Sequence, residues 1–260
     1  MAVKQQNNYH VPGLAKGIDL IKLLCDARNP LSLTEISQAM DLNKHMVFRL
    51  LQTLIREGWV IAESEGPRYR MSLVPFYHTS KPINHSNLVQ MATEPMQRYW
   101  QEIGESTSLG ILDEDRVLYV VHLNSTKDVA VIGHAGRKYY LHAAAAGKVL
   151  LAYADEHYQE KIISQGLPQL TLQTITSPAK LREELESVRK SEFALDREEY
   201  AKGVICFAAP IRDYSGKVVA AMNTSVLAMN YTFAEFEQII GTRVMDTCRI
   251  ISQSLGYHLV

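Results

Sequence analysis

Cysteine is scarce in this 260-residue chain: Cys25, Cys206 and Cys248 are odd in number and far apart. That pattern argues against a disulfide framework and for a reducing compartment, so the cytoplasm is the expected location. No apolar run approaches the roughly 18 residues of a membrane span, and a membrane role is not expected. The first 13 residues, MAVKQQNNYHVPG, have no apolar core of a secretory signal. Net charge is only -1, so the whole chain carries no electrostatic signature of a nucleic-acid partner. Split by region, residues 1–72 hold nine Lys/Arg against seven Asp/Glu, and residues 73–260 hold 18 against 21. The sign of that asymmetry suits a DNA-binding N-terminal part.

Enzyme signatures are missing as well. There is no G-x-S-x-G, no P-loop and no G-x-G-x-x-G. His122, His134 and His142 are spaced by 12 and 8 residues, which matches no metal-ligand pattern. A nucleophilic Cys206 with a histidine base is the enzyme alternative, and neither motif nor spacing favours it. No catalytic residue, metal or cofactor is expected.

The pattern that is present begins after a polar segment, residues 1–12, read as flexible. From Gly13 to Ala27, Leu14, Ile18, Ile21, Leu24 and Cys25 recur at helical spacing. Ser32 and Glu35 form an S-x-x-E capping box for a second helix, about Leu33 to Met40. Asn43 is a suitable N-cap for a third, Lys44 to Glu57, ended by Gly58. Trp59–Ala62 and Arg68–Met71 then read as a hairpin around a turn that carries Glu63 and Glu65. Three helices followed by a hairpin give the order of a winged helix-turn-helix over residues 13–72.

In the third helix, Val47, Leu50, Leu51 and Leu54 form an inward stripe. The opposite side presents His45, Arg49, Gln52 and Arg56, flanked by Lys44 and Phe48. Arginine and lysine neutralise phosphates, and arginine also pairs with guanine edges. The helix start, Lys44, His45, Met46 and Phe48, is the part that reaches bases. Thr34, Arg68 and Arg70 complete the candidate DNA-contacting set.

Residues 73–85, punctuated by Pro75 and Pro82, read as a linker with a short helix. The remainder, residues 86–260, alternates helices and strands. A helix is expected over Asn87–Ile103, followed by strands at Ser108–Leu112, Arg116–Asn124 and Val129–His134. Helices follow at 142–153, 155–165 and 178–191, strands at 193–196, 203–212 and 217–226, and a last helix at 233–255. This is an α+β domain with one antiparallel sheet and flanking helices. The small residues Ala143 to Gly147 open a helix; they either expose backbone N–H groups as an anion site or let the helix pack closely.

Together these stretches resemble the IclR family of bacterial transcription regulators. Leu33-Thr34-Glu35-Ile36, Leu42-Asn43-Lys44, Arg49-Leu50-Leu51-Gln52-Thr53-Leu54, Gly58-Trp59-Val60 and Tyr69-Arg70 are similar to its DNA-binding part. Leu141–Ala152, Asp196-Arg197-Glu198-Glu199 with Gly203–Ile211, and Ala220–Ser225 are similar to its effector-binding part. The resemblance implies a GAF-like effector domain whose pocket is lined by Ala145, Ala146, Asp196, Cys206, Asn223 and Ser225, with apolar walls at Val131, Tyr139 and Val204. It implies a double-stranded DNA operator, a small carboxylate effector and a homodimer or homotetramer. The family usually has Ser-Thr at His45-Met46, His at Phe48, Ser at Asn223, and a smaller residue with Pro at Tyr139-Tyr140. Asp196 with Glu199 also fits a capping pair, and Cys206 in a strand also fits a small buried hydrophobe.

Overall fold

Pro12 opens the first helix, where its missing N–H costs nothing and its ring presets φ. In the computed structural model, which describes residues 11–63, 66–75, 77–78 and 87–257, α1 spans Pro12–Asp26. It buries Leu20 and Leu24 and leaves Val11, Leu14 and Ile18 exposed. A two-residue strand, β1 (Leu31–Ser32), follows and leads into α2 (Leu33–Ala39). The Ser32–Glu35 capping box forms as expected: Glu35 accepts the Ser32 N–H at 2.7 Å, and Ser32 Oγ accepts the Glu35 N–H at 3.3 Å. Asn43 Oδ1 accepts the Met46 N–H at 2.8 Å and starts α3 (Lys44–Arg56). Gly58, at φ +76, turns the chain into β2 (Val60–Ala62), which pairs with β3 (Arg68–Met71). β1 pairs with the other edge of β3, with Leu31 opposite Tyr69, giving the order β1-β3-β2. Leu20, Leu24, Ile36, Val47, Leu51, Val60 and Tyr69 make the core of this unit.

The chain divides into two compact units between Pro82 and Ile83. The expected linker and its short helix lie largely outside the described residues, as does nearly all of the segment 1–12. The second unit opens with α4 (Asn87–Ile103), β4 (Ser106–Asp113), β5 (Arg116–Leu123) and β6 (Lys138–Tyr140). Next come α5 (Ala145–Ala152), α6 (Glu156–Ser164) and α7 (Pro178–Ser191). β7 (Ala194–Arg197), β8 (Val204–Arg212) and β9 (Val218–Leu227) follow. The six strands form one antiparallel sheet in the order β6-β5-β4-β9-β8-β7.

Strand alternation sends successive side chains to opposite faces. Cys206, Ala208 and Ala221 join Val149 and Leu151 of α5 and Leu181 and Leu185 of α7 on one side. Ile205, Phe207 and Met222 join Met96 and Tyr99 of α4 on the other. The chain closes with a helical run, α8 (Phe233–Glu235), a π-helical segment (Phe236–Gly241) and α9 (Thr242–Ser254); the last two pack on this second side through Phe236, Ile240, Val244 and Ile251. Gly241 sits there because an added Cβ would lie 2.6 Å from the Phe207 ring.

One expectation is corrected. Val129–His134 is not a strand. Its apolar residues do not alternate into a core: Val129 is 72% and Ile132 66% exposed. The edge of β5 that such a strand needs is taken by β6, with Val117 opposite Tyr139.

Candidate functional site

On α3, Val47 and Leu51 are buried while Lys44, His45, Phe48, Arg49 and Gln52 are exposed. The inward and outward stripes read from spacing are thus both present. Met46 is half-buried and its N–H is committed to the Asn43 cap, so it offers less to DNA than its neighbours. Thr34 is exposed on α2. The two hairpin arginines have internal partners: Arg68 donates to the Pro30 carbonyl at 2.7 Å and approaches Glu35 at 3.5 Å, and Arg70 lies 3.5 Å from Glu63. Lys44 and Arg49 have no acidic partner among the described residues. Their positive charge is fully available to phosphates. Phe48, 44% exposed, adds an apolar surface of the kind that meets thymine methyl groups.

In the second unit a cavity of about 240 Å³ opens on the α5 side of the sheet. Seven of the candidate effector residues line it: Val131, Tyr139, Ala145, Asp196, Val204, Cys206 and Ser225. Two do not. Ala146 is fully buried in the core, and Asn223 sits deeper on β9, where its amide donates to Ser225 Oγ at 2.9 Å. Sequence reasoning missed Tyr119, Ile132, Arg137, Ala144, Tyr200 and Ala201 on the wall. Arg137 was findable, because it stands two residues before Tyr139 in an extended segment and shares its face. Tyr200 was not, because only the loop after β7 brings it over the cavity.

Register explains the floor. Asp196 lies opposite Cys206, and Cys206 opposite Ser225, so the three form a row across β7, β8 and β9. Cys206 Sγ and Ser225 Oγ are 3.2 Å apart. Asp196 has a second duty: its Oδ1 accepts the N–H groups of Glu199 at 2.7 Å and Tyr200 at 3.2 Å, which shapes the loop after β7. The helix start that Asp196 and Glu199 suggested is not there; Asp196 caps a loop instead, and the same side chain stands on the cavity wall. Burial, reinforced by the nearby Glu199 carboxylate, pushes its pKa up to about 7. Burial and Asp196 together push the Cys206 thiol well above its ordinary range, so it stays protonated and is a poor nucleophile.

Behind the floor lies a charge cluster to which the sequence assigned no role. Lys148 of α5 is fully buried and donates to Glu199 at 2.7 Å and to Glu184 of α7 at 2.9 Å. Buried ammonium groups are rare unless paired in this way. The rings of Tyr139 and Tyr200 meet edge-on at 5.0 Å between centroids, and Tyr119 lies tilted against Tyr139 at 4.7 Å. Tyr139 comes from one edge strand and Tyr200 follows the other, so their contact joins the two edges at the cavity wall. His142 Nε2 donates to the Pro168 carbonyl at 3.1 Å, and His122 is held by Ser108 and Asn124. Among the described residues no three His, Cys, Asp or Glu side chains are grouped for a metal, and no helix is long and apolar enough to cross a membrane.

Comparison with known proteins agrees with this division. The profile described as "Bacterial transcriptional regulator IclR C-terminal" matches residues 80–253, and the "IclR helix-turn-helix domain" matches residues 13–63. The HTH-type transcriptional repressor AllR of Escherichia coli (strain K12) is 30% identical over 244 residues, which cover 94% of this chain and 90% of AllR. The crystal structure of a transcriptional regulator from Rhodococcus sp. RHA1 is similar with a TM-score of 0.86 and 26% identity, covering 95% of this chain and 98% of that one. An IclR homolog from Microbacterium hydrocarbonoxydans, crystallised in complex with 4-hydroxybenzoate, shares the fold with a TM-score of 0.81 at 21% identity, covering 94% and 98%. With a helix-turn-helix in one unit, a cavity in the other and both profiles matched, this chain belongs to the IclR family of bacterial transcription regulators.

Proposed function

We propose that this protein represses a catabolic operon in the cytoplasm, and that a small organic acid, a sugar acid or an aromatic acid, changes its affinity for the operator. The observation that carries the reading is the cavity with the buried Asp196–Cys206–Ser225 row on its floor and tyrosines on its wall. At about 240 Å³ it lies just below the 300–1,000 Å³ typical of drug-sized ligands, which suits a single ring or a short chain. Small-acid recognition in the family fold has a counterpart in the Microbacterium protein crystallised with 4-hydroxybenzoate, and repression in the name of AllR. The start of α5, where Ala145 meets the cavity, offers backbone N–H groups to such a ligand.

Because one recognition helix reads only a short site, the protein acts as a homodimer or homotetramer on paired half-sites of double-stranded DNA. The DNA-contacting set is Thr34, Lys44, His45, Met46, Phe48, Arg49, Gln52, Arg68 and Arg70, with Lys44 and Arg49 strongest because no acid competes for them. The effector favours one arrangement of the protein over another, and that preference alone shifts the DNA affinity.

A gel shift with DNA upstream of the protein's own gene tests the DNA reading. Arg49→Ala is expected to weaken specific binding by about 1–3 kcal/mol if the side chain reads a base. Absence of any specific retardation by the unaltered protein would sink the repressor reading. A panel of organic acids in a thermal melt tests the effector reading. An acid at 100 times its Kd adds about 2.7 kcal/mol to the folded state.

A further inference from the structure

Phe48 stands apart from the side chains around it on α3. Of the apolar residues of this helix it alone is exposed: Val47 and Leu51 are buried, and Met46, Leu50, Leu54 and Ile55 are half-buried. A single exposed ring carries no meaning by itself. Its place does. Residues four apart are neighbours on a helix surface, so Phe48 has Lys44 one turn before it and Gln52 one turn after it on the same line. His45 and Arg49 run beside it, and all four of these neighbours are exposed. The ring therefore occupies the middle of the outward stripe, among side chains that each form hydrogen bonds. It also falls in the first half of a helix that starts at the Asn43 cap, where a recognition helix meets base edges. Lys44 and Arg49, with no acidic partner among the described residues, are placed to hold that part of the helix to the phosphates.

Groove chemistry narrows what a ring at this place meets. A phenyl group has no donor and no acceptor, so it cannot use the hydrogen-bond pattern that distinguishes base pairs in the major groove. Thymine alone presents a methyl group there. Against any other base the ring would cover a polar edge, the amino group of cytosine or adenine or the acceptors of guanine, and leave it unpaired, which is unfavourable. Cytosine, the other pyrimidine, offers an amino donor and no methyl. One side chain thus favours thymine and penalises cytosine.

We propose that Phe48 is the specificity-determining residue for one thymine in each operator half-site, and that it recognises this base by its 5-methyl group in the major groove. This rests on the DNA reading above and assigns one base within it.

The probe is the DNA upstream of the protein's own gene, shortened to the stretch that the protein protects. Its thymines are replaced one at a time by deoxyuridine, which pairs in the same way and lacks only the methyl. Binding of the unaltered protein is expected to weaken about four-fold at one thymine of a half-site, the weight of one buried methyl group. With both half-sites changed the loss is expected to reach about 15-fold, since well-separated positions add in free energy. At the same position, 5-methylcytosine opposite guanine is expected to bind more tightly than cytosine. Phe48→Ala is expected to bind the unmodified operator at least about four-fold more weakly and to lose the distinction between thymine and deoxyuridine. Phe48→Leu, which keeps an apolar contact, is expected to retain part of it. A thermal melt that matches the parent separates lost recognition from lost fold, and Phe48→Leu serves if the alanine variant does not fold. An operator indifferent to every deoxyuridine replacement, or a Phe48→Ala variant as sensitive as the parent to the same replacement, would overturn the assignment and leave the DNA reading standing. If no fragment is specifically retarded, both fall.

Discussion

Asp196 shows how a single residue can fasten a loop and face a cavity at once. One oxygen fastens the loop that brings Tyr200 to the cavity, and the carboxyl stands on the cavity wall. Its pKa is about 7 in the folded protein, against 3.8 as the ordinary value, so the folded state holds a proton that the unfolded chain releases. The stabilisation from that proton is complete below about pH 3.8 and is lost as pH rises through about 7. Asp196→Asn keeps an acceptor for the two loop N–H groups and removes the titration. Urea midpoints measured between pH 4 and pH 8 are expected to fall with rising pH more steeply for the unaltered protein than for the variant. Parallel curves would reject the assignment. Asp196, Cys206 and Ser225 were legible in the sequence because they fall in strands with recognisable flanking motifs. Lys148 was not. A lysine in a short helix reads as solvated, and only Glu184 and Glu199, 36 and 51 residues onward, make its burial possible.

At the level of elements, the sequence is clearest where local chemistry decides. The Ser32 capping box, the Asn43 cap and the stripe of α3 are all local, and all appear at the expected residues. β1 was missed because two residues carry no periodicity, and its pairing depends on Tyr69 and Arg68 far along the chain. α5 illustrates a choice the sequence left open, between exposing backbone donors and packing closely. Ala145 meets the cavity, whereas Gly147 is there for contact: a Cβ at Gly147 would sit 2.7 Å from both the Cα and the carbonyl oxygen of Leu141. Intrinsic helix preference favours alanine over glycine by about 1 kcal/mol. The clash wins, because the obstructing atoms are backbone and cannot rotate aside. Gly147→Ala is therefore expected to lose about 1–3 kcal/mol in equilibrium urea denaturation. A variant as stable as the original would show that the α5–Leu141 approach is looser than these distances state.

For the whole molecule, the order of three helices and a hairpin before residue 73 marked an N-terminal part apart from the rest, with the weak charge asymmetry only in agreement, whereas the cavity needed side chains from both edges of a six-stranded sheet, Tyr139 and Tyr200, to come together. For the self-association proposed above, α1 offers a candidate contact face. One face of α1 buries Leu20 and Leu24 in its own domain. Val11, Leu14 and Ile18, spaced by three and four residues, form a second apolar stripe that is 61%, 64% and 44% exposed. Such a stripe on a short helix is the usual seat of a helix partner, and a second copy of α1 matches it by symmetry. Replacing Leu14 and Ile18 together with Glu would set like charges against each other across that contact while leaving Leu20 and Leu24 in place. The expected result is an unchanged helical circular-dichroism spectrum, a smaller mass by sedimentation at micromolar concentration, and operator binding weakened by about 10²-fold or more as the half-sites lose their linkage. A variant that folds, keeps its mass and binds the operator as before would remove α1 from the dimer contact.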